Sequence, residues 1–407
     1  MKDYEKIAAV CGRNTSISAA LVDDFLMYYA ARQFNLDQEI SRLLKPFRHV
    51  VREFPQEWEN RIKAQYIVHR IFRSGGLINR ILSHSSMKTR TKEELKFLAF
   101  QSENPWCFRF SCITGKPYKD FYLMEDVFRD EEFLLYSPGI TDYLKSGSFM
   151  LWMNLTSFNG SCWQSFGPIN AYTSFDPDDI FFYSTEVNPD IEDEDDLIAN
   201  VEYNPVPYMM LLSGGNYPII ANKIDIMVHN LAEYEVDKMN TKSLTASFTS
   251  EYNQGIYRLA LKRWKGHPHF ATAWYNEEKK TLTLTAMTDR GFGALVKGLN
   301  KHGYDFSPDP FVRVKPTMVK TASDVFKRDI NLTGYEKLFT KESSPADKER
   351  LNMINKVLGM AIEDINAGRK PDPEVYAQKA GVDLVTARDI VAHALASIDR
   401  INKRYRK

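Results

Sequence analysis

The sequence predicts an α+β protein with an N-terminal helical bundle, a central, mostly antiparallel sheet with packed helices, and a C-terminal helical appendage. Three observations carry this. Apolar residues recur at the three and four spacing of a helix through the first hundred residues; aromatic and β-branched runs broken by Gly, Pro, Asn and Asp replace them from Pro105; the helical period returns at Pro345. The boundaries that follow are 1–102 for the bundle, 103–328 for the α+β domain, 329–344 for a linker and 345–407 for the appendage.

Each element has its own justification. Val22, Phe25, Leu26 and Tyr29 form one helical stripe, and Ile40, Leu43, Leu44, Phe47, Val50, Val51 and Phe54 form a second that Pro46 should split. A denser helix runs from Trp58 to Phe72 and ends at Ser74, Gly75 and Gly76. Thr91 and Glu94 have the spacing of a capping box. In the centre, Ser148–Leu155 reads as a buried strand, and residues 257–262, 270–275 and 281–285 read as three more. Thr288 then caps a helix whose apolar face is Phe292, Leu295, Val296 and Leu299. Asp372 and Pro373 open a further helix near the end of the chain.

A chain of 407 residues exceeds one ordinary core, and a 43% hydrophobic, 26% charged composition is that of a globular protein. Lys plus Arg and Asp plus Glu both number 53, so no overall field draws the chain to nucleic acid or acidic lipid. The cysteines Cys11, Cys107, Cys112 and Cys162 lack paired metal spacing and read as reduced thiols. No secretion signal or long apolar run is seen, which predicts a cytoplasmic protein with no membrane partner.

Gly160-Ser161-Cys162-Trp163 resembles the nucleophile segment of the papain-like proteases. That resemblance implies a thiolate at Cys162 and an imidazole downstream, for which His302 stands at a suitable interval. The chain departs from the pattern elsewhere: Thr156 occupies the oxyanion glutamine position, Gly167-Pro168 interrupts the helix that should follow, and no Asn-Ser-Trp segment follows His302. A thiol-dependent hydrolase using Cys162 and His302 is therefore an alternative expectation, and a thiol in an aromatic core is the main one.

Other segments carry partial signals. His267 and His269 share one side of an extended segment, but no third ligand stands at a recognisable spacing, so no metal is expected. Gly291-Phe292-Gly293 beside Arg290 resembles a phosphate loop, yet Val296 and Leu299 break both nucleotide patterns, and no cofactor is expected. Asp190–Asp196 holds six carboxylates in seven residues and suits a helix start better than a calcium loop. Arg258, Lys262, Arg263 and Lys265 alternate with Tyr257, Trp264, Phe270, Trp274 and Tyr275; most rings are expected on the face opposite Arg258.

Residues 375–391 have the small, turn and apolar positions of a helix-turn-helix at Ala377, Gly381, Leu384, Ala387 and Ile390. Arg388 on its outer face, with Arg400, Lys403 and Arg404 beyond, would supply nucleic-acid contacts, whereas Asp383 and Asp389 would repel phosphate. The expected function is a non-catalytic binding or regulatory protein. Its C-terminal helices would associate with a protein partner or a second copy, and nucleic-acid binding is the further alternative.

Overall fold

Pro46 breaks its helix as its missing N–H requires: Leu36–Leu44 is α-helical, Lys45–Phe47 is a 3-10 turn, and Arg48–Val51 resumes the helix. In the computed structural model, which describes residues 3–339 and 345–405, the chain forms two units. The first comprises residues 1–217 and 318–329, the second residues 218–317 and 330–407.

The first unit begins with α1 (Tyr4–Ser18), a π-helix at Ala19–Leu26, α2 (Met27–Gln33), α3 (Leu36–Leu44), α4 (Arg48–Val51), α5 (Gln56–Phe72), α6 (Ile78–Leu82) and α7 (Lys92–Glu103). The capping box at α7 is complete: Glu94 N–H donates to Thr91 Oγ1, and Thr91 N–H donates to the Glu94 carboxylate at 2.7 Å.

Five strands then close into a barrel. These are β1 (Cys107–Tyr118), β2 (Phe121–Asp126), β3 (Glu131–Tyr136), β4 (Leu151–Phe158) and β5 (Trp163–Tyr172), in the order β1-β2-β3-β5-β4. Neighbours are antiparallel except β3 and β5, which run parallel at Leu135–Trp163 and Tyr136–Gln164. The connection that this parallel pair demands contains α8 (Pro138–Tyr143). Alternation along the strands sends Tyr122, Met124, Phe133, Leu135 and Trp152 into one core with Ile140 of α8. It sends Phe121 and Leu134 to the other face, where they pack with Ile7, Ala8 and Cys11 of α1. Beyond the barrel come α9 (Pro177–Val187), α10 (Glu194–Tyr203) and α11 (Val206–Met209). The chain re-enters this unit through most of α13 (Pro316–Phe326), whose Phe326 ring stacks on Tyr183 at 5.2 Å.

In the second unit a short hairpin, β6 (Ala221–Asn222) and β7 (Asp225–Ile226), precedes a six-stranded antiparallel sheet. Its strands are β8 (His229–Glu235), β9 (Phe248–Asn253), β10 (Ile256–Leu261), β11 (Thr272–Asn276), β12 (Thr281–Ala286) and β13 (Val312–Val314), in the order β13-β8-β12-β11-β10-β9. Helix α12 (Asp289–Asn300), capped by Thr288, packs Phe292, Leu295 and Leu299 onto Leu259, Leu282 and Leu284 of the sheet. Three last helices, α15 (Pro345–Asn366), α16 (Pro373–Ala380) and α17 (Leu384–Tyr405), share a small core of Val357, Ala361, Tyr376, Ala377, Ala387 and Val391.

The α+β architecture with helices at both ends is the one the sequence predicts, with its strands in a barrel, a six-stranded sheet and a two-stranded hairpin. The units cut across the sequence boundaries. Residues 1–102 share a unit with the barrel, and the segment 103–328 belongs partly to each. The linker also differs from expectation. Residues 330–339, including α14 (Glu336–Phe339), place Tyr335 and Phe339 against Trp274 at 6.4 and 5.6 Å between ring centres. Residues 340–344 lie outside the described residues.

Candidate functional site

Cys162 closes the tight connection between β4 and β5. Asn159 Oδ1 accepts the N–H groups of Ser161 and Cys162 at 2.9 Å each, and Gly160 takes the left-handed φ of +89° that this turn needs. With its oxygen thus engaged, the Asn159 amide has one orientation. Its Nδ2 donates to Gln164 Oε1 at 2.9 Å and faces two sulfurs, Cys11 at 3.2 Å and Cys162 at 3.5 Å. The sulfurs are 3.5 Å apart and buried, and Gln164 Nε2 donates to the Cys11 carbonyl at 3.1 Å. The hydrogen bond to Cys162, then burial, pushes the Cys11 thiol far above the ordinary thiol range.

His302 follows α12 in the second unit, with its ring edge toward Phe248 at 6.5 Å, whereas Cys162 belongs to the first. The thiol partner that sequence reasoning missed is Cys11, 151 positions away. Only the fold could reveal it, since no local spacing connects a residue of α1 with a turn of the barrel.

In the second unit two separately noted motifs meet. His269 Nδ1 lies 2.7 Å from the Thr288 hydroxyl, which accepts the Gly291 N–H at 3.0 Å. A Cβ at Gly291 would approach His269 Cβ to 2.9 Å, so close packing accounts for this glycine without a phosphate. Arg290 pairs with Asp225 at 3.3 Å and lies over the Trp264 ring, which contacts His269. Burial lowers the His269 pKa, and His267 Nδ1 lies 3.2 Å from Asn222 Nδ2. Among the described residues no group of three or more His, Cys, Asp or Glu could hold a metal ion.

The acidic run opens α10 as its charge pattern suggests: the Asp193 side chain accepts the Asp196 N–H at 2.9 Å, with Glu194 and Asp195 in the first turn. In the basic and aromatic sheet Tyr257, Trp264 and Tyr275 pack into the core shared with α12, on the face opposite Arg258, and Trp274 is the ring on the Arg258 side. Trp274 lies directly across from Arg258 on one face, 5.8 Å from its guanidinium, and Tyr335 and Phe339 pack on it. Those rings occupy the surface on which a base would stack.

Near the end of the chain Gly381 takes a left-handed φ of +73° and caps α16 before α17. Arg388 reaches back to Glu374 at 3.2 Å, and Asp383 accepts the Thr386 N–H at 2.8 Å. The backbones of Arg400, Lys403 and Arg404 continue α17. Among the described residues no helix is long and apolar enough to cross a membrane.

An apolar recess of the first unit was not legible in the sequence. It is a cleft of about 430 Å³ between the segment 18–27, α5 and the barrel. Val22, Ala64, Val68, Leu155 and Phe166 supply apolar wall, while Ser18, Asp23, Arg61 and Gln65 supply polar groups. Phe72, Trp106 and Phe166 stack behind it at 4.3 and 4.2 Å. Val22 and Asp23 stand on the π-helix, whose wider turn is uncommon and recurs at functional sites. Opposite it, Gly167 at φ +71° and Pro168 form a rim that Gln65 Nε2 holds through the Pro168 carbonyl at 2.9 Å.

Helix α1 lies on the β2–β3 face of the barrel, with Tyr4 stacked on Tyr118 at 5.5 Å and Cys11 against Cys162. No family model matches the chain, and neither the curated proteins nor the solved structures yield a similar one.

Proposed function

We propose that the chain is a non-catalytic binding protein that takes a small molecule with an apolar body and a polar end into the cleft beside the π-helix. The observation that carries this is the cleft itself: about 430 Å³, apolar in its walls, with a few polar side chains around it. Its volume falls within the range of small-molecule sites, and its mix of groups suits an amphipathic ligand. Arg61 is largely exposed and pairs only loosely with Glu57, at 3.9 Å, so it can turn toward an anionic end.

The test is a panel of medium-chain and aromatic carboxylic acids, followed by thermal shift and by the methyl NMR signals of Val22 and Val68. Binding is expected to move both signals. Ala64→Trp, which fills the cleft, is expected to abolish the effect in a folded protein, and Arg61→Ala to weaken binding about tenfold. Unmoved methyl signals across the panel, or equal binding by Ala64→Trp, would overturn the proposal.

A second feature supports association with another copy through the C-terminal helices. Leu351 and Leu358 stand seven residues apart on α15, and both are exposed, as are Val375, Val385 and Leu395. Sedimentation is expected to show a dimer that Leu358→Glu dissociates. A monomer at all accessible concentrations would exclude it.

A further inference from the structure

We infer that Cys11 and Cys162 are a redox pair which a two-electron oxidant closes into a disulfide, clasping α1 onto the barrel. The two sulfurs are already in contact. The sulfurs lie 3.5 Å apart and need to approach by about 1.5 Å to reach bonding distance. The cysteines sit on different elements, α1 and the β4–β5 turn, so the bond would tie together segments 151 positions apart.

Asn159 makes the pair more than a chance contact. Its oxygen is held by two backbone N–H groups, so its Nδ2 must face both sulfurs. An amide N–H placed there, together with the Cys11 thiol proton, stabilises negative charge on the Cys162 sulfur, the form that reacts. The turn that carries Cys162 reaches the surface at its exposed neighbour Ser161, while Cys162 and Cys11 are buried, so an oxidant meets the sulfurs when this turn opens. Burial of both sulfurs slows the reaction without changing its product.

With hydrogen peroxide the steps balance. The Cys162 thiolate attacks one peroxide oxygen, the O–O bond breaks, and the departing hydroxide takes a proton to become water. Cys11 then gives up its proton and attacks the Cys162 sulfenic acid, forming the S–S bond and releasing a second water. Two thiols lose two electrons in all, and one peroxide becomes two waters. The bond would hold α1 against Phe121 and Leu134 on the β2–β3 face, and reduction would release that constraint.

The full-length native protein is exposed to hydrogen peroxide, quenched, unfolded, alkylated and mapped by mass spectrometry. The expected product is a linked peptide pair containing Cys11 and Cys162, lighter by two hydrogen atoms and reversed by dithiothreitol, with Cys107 and Cys112 still alkylated. Hydrogen exchange over residues 4–18 is expected to slow, and the melting temperature to rise by roughly 5–15 °C. In Cys11→Ser, Cys162 is expected to accumulate a dimedone-reactive sulfenic acid. Sulfinic acid at Cys162 without a linked peptide, or both cysteines alkylated after treatment, would overturn the pairing. A disulfide that leaves exchange over residues 4–18 unchanged would overturn the clasp.

Discussion

Gly214 faces Thr321 so closely that a Cβ built at 214 would fall 1.9 Å from the threonine Oγ1 and 2.8 Å from its Cβ. Thr321 is buried on α13, the helix by which the chain re-enters the first unit between the two segments of the second. Gly214→Ala is therefore expected to cost at least about 3 kcal/mol by overpacking. Adding Thr321→Ala removes Oγ1 and Cγ2 and should recover part of that cost. Urea denaturation of the two variants tests both points, and a cost below about 1 kcal/mol for Gly214→Ala would mean that α13 is not seated there.

This contact also marks where sequence reasoning ended. Local signals were legible: Pro46 split its helix, Thr91 and Glu94 made the capping box, and Thr288 capped α12. Each is decided by residues within a turn of one another. Closure of the barrel, the return of residues 318–329 and the packing of Tyr335 on Trp274 depend on which distant faces meet, and no periodicity encodes that. The same limit applies to the sites. Gly160-Ser161-Cys162-Trp163 singles out a turn whose thiol neighbour, Cys11, lies in α1, beyond the reach of any spacing rule.

A second prediction concerns Arg109, which forms salt bridges at 2.9 Å with Asp126 and Glu131 and lies under the rings of Phe133 and Trp163. Asp126 is wholly buried, and Arg129 is its other cation, at 2.9 Å. Arg109→Met keeps most of the volume but leaves the carboxylate with Arg129 as its one cation, beside the backbone N–H groups of Phe128 and Arg129, so a loss of about 3 kcal/mol is expected. Arg109→Met with Asp126→Asn should lose less than the sum of the two single changes. Full additivity in the double-mutant cycle would show that the pair does not interact.

The third prediction is a pH dependence of the second unit. Burial lowers His229 from 6.5 to about 4 in the folded chain. The unfolded chain takes up this proton as pH falls through 6.5, and the folded chain resists until about 4. The stability present above pH 6.5 is thus lost progressively between 6.5 and 4, by an amount approaching about 3 kcal/mol. Denaturation at pH 7.5 and 4.5 measures the loss. His229→Gln is expected to flatten that part of the slope, and an unchanged slope would assign it to other groups.

The last prediction comes from the barrel core. Arg109 and Asn154 are direct cross-strand neighbours, as are Ser111 and Trp152, and alternation puts all four on the face where Trp152 enters the core. Arg109 Nε, Ser111 Oγ, Trp152 Nε1 and both Asn154 amide atoms are buried without a hydrogen-bond partner in the protein. A buried polar group without a partner costs about 1–3 kcal/mol, which makes Asn154 a net liability to folding. Asn154→Leu, nearly the same in shape, is expected to stabilise the first unit by about 1 kcal/mol. Ser111→Ala is expected to change stability by less than about 0.5 kcal/mol, because one hydroxyl is exchanged for little lost volume. A loss above about 2 kcal/mol from Asn154→Leu would instead mean that the amide is satisfied inside the barrel and that its polarity is retained for what it holds there.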